Sequence, residues 1–169
     1  MLPEPQPTIV TLTMNPALDK STQVQRVVPE EKLRCDALTA EPGGGGVNVS
    51  RVIHALGGRS LLVYLVGGLT GQALAQLLQA EGLHTQPIPI AGSTRESFTV
   101  LEEVSLCQYR FNMPGPVLAE AEWQNALETV AGIAPRPAYL VASGSLPPGA
   151  PSDFYVRLAA CFAGSETKV

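Results

Sequence analysis

Short apolar runs of strand character alternate along this chain with segments of helical periodicity, and that alternation is the grammar of an α/β fold. The runs Thr8–Met14 and Leu61–Val66 are apolar or β-branched almost throughout, as buried strands are. Between and after them, apolar residues recur at the i, i+3, i+4 spacing of helix faces. Size fits the same picture: 169 residues, 45% hydrophobic and 15% charged, make one domain with a core.

Thr8–Met14 (TIVTLTM) reads as a buried strand ending at the Asn15-Pro16 turn, a place where active-site residues often sit. Across Gln23–Ala40, the stretches QVQRVV and LRCDALTA flank Pro29-Glu30-Glu31 and alternate apolar with polar residues in part. They predict strands of a small antiparallel unit, exposed on one face. Pro42 and Gly43–Gly46 then lead into a helix whose apolar face is Val49, Val52, Ile53 and Leu56, stopped by Gly57-Gly58. Leu61–Val66 is the second buried strand, and Leu74, Leu77 and Leu78 mark a helix closed by Gly82. Phe98 and Val100, then Tyr109 and Phe111, suggest a hairpin, although no Asn-Gly or Asp-Gly marks its turn. Trp123, Ala126, Leu127 and Val130 form another helical stripe and Tyr139–Ala142 another strand. Ser152-Asp153 caps a last helix bearing Phe154, Leu158 and Phe162.

Composition excludes several classes. Sixteen glycines and 15 prolines are more than usual, yet too few for a low-complexity or collagen-like chain. A net charge of −4 and a pI near 5.1 provide no global positive field, so nucleic acid is not an expected partner. The longest apolar run, Leu61–Val66, is far short of a membrane span. The opening residues MLPEPQP lack the basic and apolar stretches of a secretory signal, so the cytoplasm is the expected location. Cys35, Cys107 and Cys161, odd in number and widely spaced, are expected to be buried thiols rather than disulfides. Asn48-Val49-Ser50 matches a glycosylation acceptor but has no secretory route to be used. His54 and His84 have no clustered acid or thiol, so no metal site is expected.

Gly43–Gly46 followed by Val47-Asn48 is the strongest local signal. Glycines let a backbone approach a ligand closely and aim its N–H groups at electronegative atoms, and a helix N-terminus follows directly. Asn48 can add a side-chain amide to such a site, which suits a sugar hydroxyl or an anion; the alternative is a flexible loop. Neither the Walker nor the Rossmann phosphate fingerprint fits this stretch. Asp19 in NPALD is either a solvated turn aspartate or an acceptor for two neighbouring sugar hydroxyls. Arg95 in STRES, and Lys32 with Arg34 in EEKLR, are either ordinary surface cations or phosphate ligands. Ser143–Gly149 (SGSLPPG) follows a strand, where open α/β sheets place ligand loops.

Taken together, NPALD, EEKLRCD, EPGGGGVNVSRVIHALGG, VGGLTG, STRES, YRFNMPGP and SGSLPPG resemble, in order and spacing, the ribokinase-like carbohydrate kinases of the PfkB family. The likeness covers residues 8–169 and is nearest the sugar-phosphate branch, that of the minor bacterial 6-phosphofructokinases. It implies an α/β fold with a mostly parallel sheet flanked by helices and a small β-sheet lid, formed by about residues 23–40 and 97–111. Lids pair into a homodimer in this branch. The resemblance further implies that Asp19, Gly44, Gly45 and Asn48 contact sugar hydroxyls. By the same likeness Arg95, Ser145 and Lys32 bind the 6-phosphate, Lys32 in the neighbouring subunit's site. The reaction implied moves the γ-phosphoryl of ATP, as its magnesium complex, to the C1 hydroxyl of fructose 6-phosphate.

One departure from the family is large. Its Gly-Ala-Gly-Asp motif, which supplies an anion hole and the catalytic base, does not occur in this sequence. Val169 falls about where a member would be half complete, so the C-terminal nucleotide-binding half is expected to be absent and one side of the sheet unpaired. No catalytic residue is therefore assigned, ATP and Mg2+ are not expected to bind well to this chain alone, and independent kinase activity is not expected. Two other readings stay open: part of a 1-phosphofructokinase or tagatose-6-phosphate kinase, and a non-catalytic sugar-phosphate-binding or dimerisation module.

Overall fold

The computed structural model describes residues 9–169; Thr8 and the MLPEPQP opening, read above for strand and targeting character, lie outside them. One four-stranded sheet has the order β5-β4-β1-β8, built from β1 (Ile9–Thr13), β4 (Leu61–Val66), β5 (His84–Pro89) and β8 (Tyr139–Ala142). Every pairing in it is parallel, with Val10 opposite Leu61 on one side of β1 and opposite Leu140 on the other. Residues of β4 alternate between the faces as strand geometry requires. Leu62 and Tyr64 pack with Val47, Leu74 and Leu78 from α1 (Gly45–Ala55) and α2 (Gly68–Ala80). Val63 and Leu65 join Trp123, Ala126 and Val130 of α3 (Glu120–Ala131) and Phe154 and Leu158 of α4 (Phe154–Ala160) on the opposite face.

A second four-stranded sheet, ordered β3-β2-β6-β7, carries β2 (Ala17–Val24), β3 (Thr39–Gly43), β6 (Arg95–Glu102) and β7 (Gln108–Asn112). It mixes antiparallel outer pairings with a parallel central one between β2 and β6. Phe98 pairs with Phe111 and Val100 with Tyr109, the hairpin suggested by their spacing. The strands expected within Gln23–Ala40 are displaced outward. Residues 25–38 form no strand, and the pairing lies at either end of that stretch, in β2 and β3. The strand β5 was not anticipated, because Pro87 and Pro89 interrupt it; as the edge of its sheet it can carry prolines that a central strand cannot.

Three further expectations are corrected. The helix α1 buries Gly46, Val47 and Ser50, whereas Val52 is 58% and Leu56 83% exposed. A small-residue face brings the helix close to β1, where Ser50 Oγ shares hydrogen bonds with Thr11 Oγ1 (2.7 Å) and Ser60 Oγ (2.8 Å). Cys35, Cys107 and Cys161 are all exposed, since they fall on the segment between β2 and β3, the β6–β7 turn and the end of α4. Asp153 makes no side-chain cap on α4 and pairs instead with Arg157 Nε at 2.9 Å. No described helix is long and apolar enough to cross a membrane. The outer side of β8 is met by Lys168, which donates from its N–H to Ala138 C=O and accepts from Leu140 N–H.

Candidate functional site

β1 and β8 are neighbours in the parallel sheet, and the chain leaves it at their C-terminal ends, where open α/β sheets place ligand loops. From β1 it crosses through Met14–Pro16 into β2 of the second sheet; from β8 it enters the loop Ser143–Gly149. The start of α1 lies against both ends. Gly46 N–H donates to Ser143 C=O (3.2 Å) and Val47 N–H to Thr13 Oγ1 (2.9 Å), so two amides of the glycine-rich turn are taken up by protein rather than left for a ligand. Gly44 turns the chain at φ 127°, a conformation open to glycine and rarely to other residues.

Asp19 stands on β2 between Glu41 of β3 and Ser97 of β6. Its carboxylate lies directly over Gly43, at a spot any side chain there would fill. Burial pushes the Asp19 pKa above the usual carboxylate value. The hydrogen bond with Ser97 and the charge of Arg95 oppose that shift, Glu41 adds to it, and Arg51 opposes it.

Arg95 opens β6 with three hydrogen bonds. Nε donates to Asn15 C=O at 3.3 Å, and Nη1 donates to Ser97 Oγ at 3.3 Å and to Met113 C=O at 3.4 Å. Ser145, on the loop after β8, receives Asn15 Nδ2 at 3.1 Å. Arg95 and Ser145 thereby line one cavity of about 560 Å³, together with Asn15, Asn112, Met113 and Pro148. The hydroxyl of Tyr155 on α4 donates to Gly144 C=O at 2.9 Å and ties this loop to the helix beneath it. A larger cavity of about 820 Å³, near His54, Arg59 and His84, lies at the opposite ends of β4 and β5.

The residues singled out in the sequence thus fall into three groups. Arg95 and Ser145 share the smaller cavity; Asp19 sits beside Ser97 within the field of Arg95, with Gly44 and Gly45 at the adjoining start of α1. Asn48 is exposed on that helix. Lys32 does not join them: it is exposed on the segment between β2 and β3 and lines neither cavity. Sequence reading marks the Asn15-Pro16 turn as a place for active-site residues without giving Asn15 a role, and it misses Ser97 and Tyr155. The signal for Ser97 was available, because two-residue spacing puts positions 95 and 97 on one face of a strand. Among the described residues no three His, Cys, Asp or Glu side chains gather as metal ligands.

This arrangement matches known proteins over nearly all of its length. The pfkB family carbohydrate kinase pattern covers residues 12–168. The ATP-dependent 6-phosphofructokinase isozyme 2 of Mycobacterium tuberculosis is 53% identical over 156 residues, 92% of this chain and 46% of that protein. Its counterpart in Escherichia coli is 45% identical over 141 residues, 83% of this chain and 45% of that one. The crystal structure of Escherichia coli phosphofructokinase-2 in complex with fructose-6-phosphate superposes with a TM-score of 0.88 at 40% identity, covering 95% of this chain and 52% of that chain. The chain therefore spans about half the length of the curated relatives it matches. Two sheets, the glycine turn between strand ends and a family match from Leu12 to Lys168 agree: the chain belongs to the pfkB family of carbohydrate kinases.

Proposed function

We propose that this chain is the sugar-phosphate-binding portion of an ATP-dependent 6-phosphofructokinase. The observation that carries the reading is the meeting of Arg95, from the second sheet, and Ser145, from the loop after β8, in one cavity with Asp19 close by. A guanidinium and a hydroxyl converge there on acceptor oxygens, which suits a phosphoryl group. The ionised Asp19 carboxylate accepts hydrogen bonds from neighbouring sugar hydroxyls, and the turn at Gly44 and Gly45 lets the sugar lie close to backbone. Fructose 6-phosphate carries both features. Asn48 and, across a lid-mediated dimer, Lys32 complete the set by the family pattern. Transfer from ATP to the C1 hydroxyl depends on a base, an anion hole and a nucleotide site supplied by sequence outside these 169 residues.

Calorimetry with fructose 6-phosphate and with fructose tests the binding half of this reading. Arg95→Met is expected to weaken fructose 6-phosphate binding about 10- to 150-fold, the loss of one charge-assisted hydrogen-bond partner, and to leave fructose binding little changed. Equal losses for both sugars would remove the phosphate role. Joined to a compatible C-terminal half, the chain is expected to release ADP with fructose 6-phosphate in a coupled assay. Preference for fructose 1-phosphate or tagatose 6-phosphate in competition would reassign the substrate, and sugar-phosphate binding without turnover in the joined protein would leave a non-catalytic binding module.

A further inference from the structure

Asn15 is 8% exposed, and its Oδ1 is fully buried against Gly115 with no hydrogen-bond partner among the described residues. A buried carbonyl left unpaired is unfavourable, and an apolar side chain of similar size would fill the same space without that cost. What an apolar side chain cannot do is donate. One N–H of the Asn15 side-chain amide donates to Ser145 Oγ, and its backbone C=O receives Arg95 Nε. One residue therefore touches both Arg95, from the second sheet, and Ser145, from the loop after β8, where they line the smaller cavity. Its own backbone is held in place by sequence, since a residue before proline is confined to extended conformations, and Pro16 follows.

We propose that Asn15 is a positioning residue whose side chain occupies one lone pair of Ser145 and turns the hydroxyl proton toward the cavity, and whose backbone C=O holds Arg95 beside it, so that the pair favours a phosphoryl group over a free hydroxymethyl group. A serine hydroxyl has one proton and two lone pairs. With Asn15 Nδ2 occupying a lone pair, the proton of Ser145 is left for an acceptor in the cavity. Arg95 is constrained likewise: Nε and Nη1 are engaged by Asn15, Ser97 and Met113, which leaves Nη2 without a protein acceptor among the described residues. A phosphoryl oxygen is an acceptor only and matches two donors, whereas a sugar hydroxyl must also place its own proton. This assignment rests on the sugar-phosphate reading given above.

The test is a double-mutant cycle read by calorimetry with fructose 6-phosphate, fructose and inorganic phosphate on the 169-residue chain. Asn15→Leu is expected to lower affinity for fructose 6-phosphate and inorganic phosphate about 10-fold, to spare fructose, and to cost almost nothing further once Ser145→Ala is present. Asn15→Asp, which can only accept and so captures the Ser145 proton, is expected to lose more of the fructose 6-phosphate affinity than Asn15→Leu; it also serves if the leucine variant does not fold. Equal losses for fructose and fructose 6-phosphate, or the same loss from Asn15→Leu with and without Ser145, would overturn the assignment while leaving the phosphate site standing. If Ser145→Ala and Arg95→Met themselves leave fructose 6-phosphate affinity unchanged, the phosphate site falls and this assignment with it.

Discussion

Asp19 shows how one side chain carries both a stability and a binding consequence. Partial burial, resisted by Ser97 and Arg95, leaves it with a stronger hold on its proton in the folded chain than in the unfolded one, where the ordinary value is 3.8. Between 3.8 and the raised folded value the folded state binds more protons, so stability falls as pH rises through that window and is level above it. Asn at this position keeps the shape and drops the charge. Asp19→Asn is therefore expected to raise the melting temperature at neutral pH, with the difference closing below the ordinary carboxylate range; a pH series of thermal melts checks it. Sugar binding runs the other way, because only the carboxylate accepts two hydroxyl hydrogen bonds. It is expected to weaken as pH falls through the window, and to be weak at every pH in Asp19→Asn.

The helix α1 carries the sharpest lesson about elements. Val52 and Leu56 of its hydrophobic stripe point outward, Val49 and Ile53 are half-buried, and its buried face is made of Gly46, Val47 and Ser50. Periodicity located the helix correctly but assigned it the wrong inner face, since the face was set by how near the glycine turn must come to Leu12, Thr13 and Ser143 rather than by which residues are most apolar. Val52→Lys is accordingly expected to change unfolding free energy by no more than about 0.5 kcal/mol. Ser50→Ala, which strips partners from the buried hydroxyls of Thr11 and Ser60, is expected to cost about 1–3 kcal/mol. Urea titrations of the two variants decide between the faces. The neighbouring β5 teaches the converse: two prolines hid a strand that only its place at the sheet edge permits.

At the scale of the molecule, the two sheets differ in how their surfaces are finished. The parallel sheet is covered on both faces by helices, while the second sheet leaves β7 exposed along its length, with Tyr109 38% and Phe111 50% exposed and Met113 49% just beyond. Apolar exposure on a lid edge is what the proposed homodimer would bury. Phe111→Lys is expected to shift sedimentation from dimer to monomer while leaving the circular dichroism spectrum unchanged, and a parent chain that already sediments as a monomer would set the dimer aside. The outer side of β8 is engaged by Lys168 next to Tyr139, and the α1 stripe of Val52 and Leu56 stands exposed. In a protein joined to a compatible C-terminal half, hydrogen exchange at Ala142, beyond Leu140, whose N–H already donates to Lys168 C=O, is expected to slow, reading out further pairing along β8.

Local chemistry alone determined much of this protein. Apolar runs located β1, β4 and β8, helical stripes located α2 and α3, two-residue spacing paired Phe98 with Phe111, and the glycine run marked the turn between strand ends. Those features are local in sequence, so neighbours suffice to reveal them. Tertiary structure alone decided which side of α1 is buried, that residues 25–38 form no strand, and that the three cysteines are exposed. It alone brought Asn15, Arg95 and Ser145 together around one cavity. The reason is distance along the chain: Asn15 and Ser145 are 130 residues apart, and their contact exists only because β1 and β8 lie side by side in one parallel sheet.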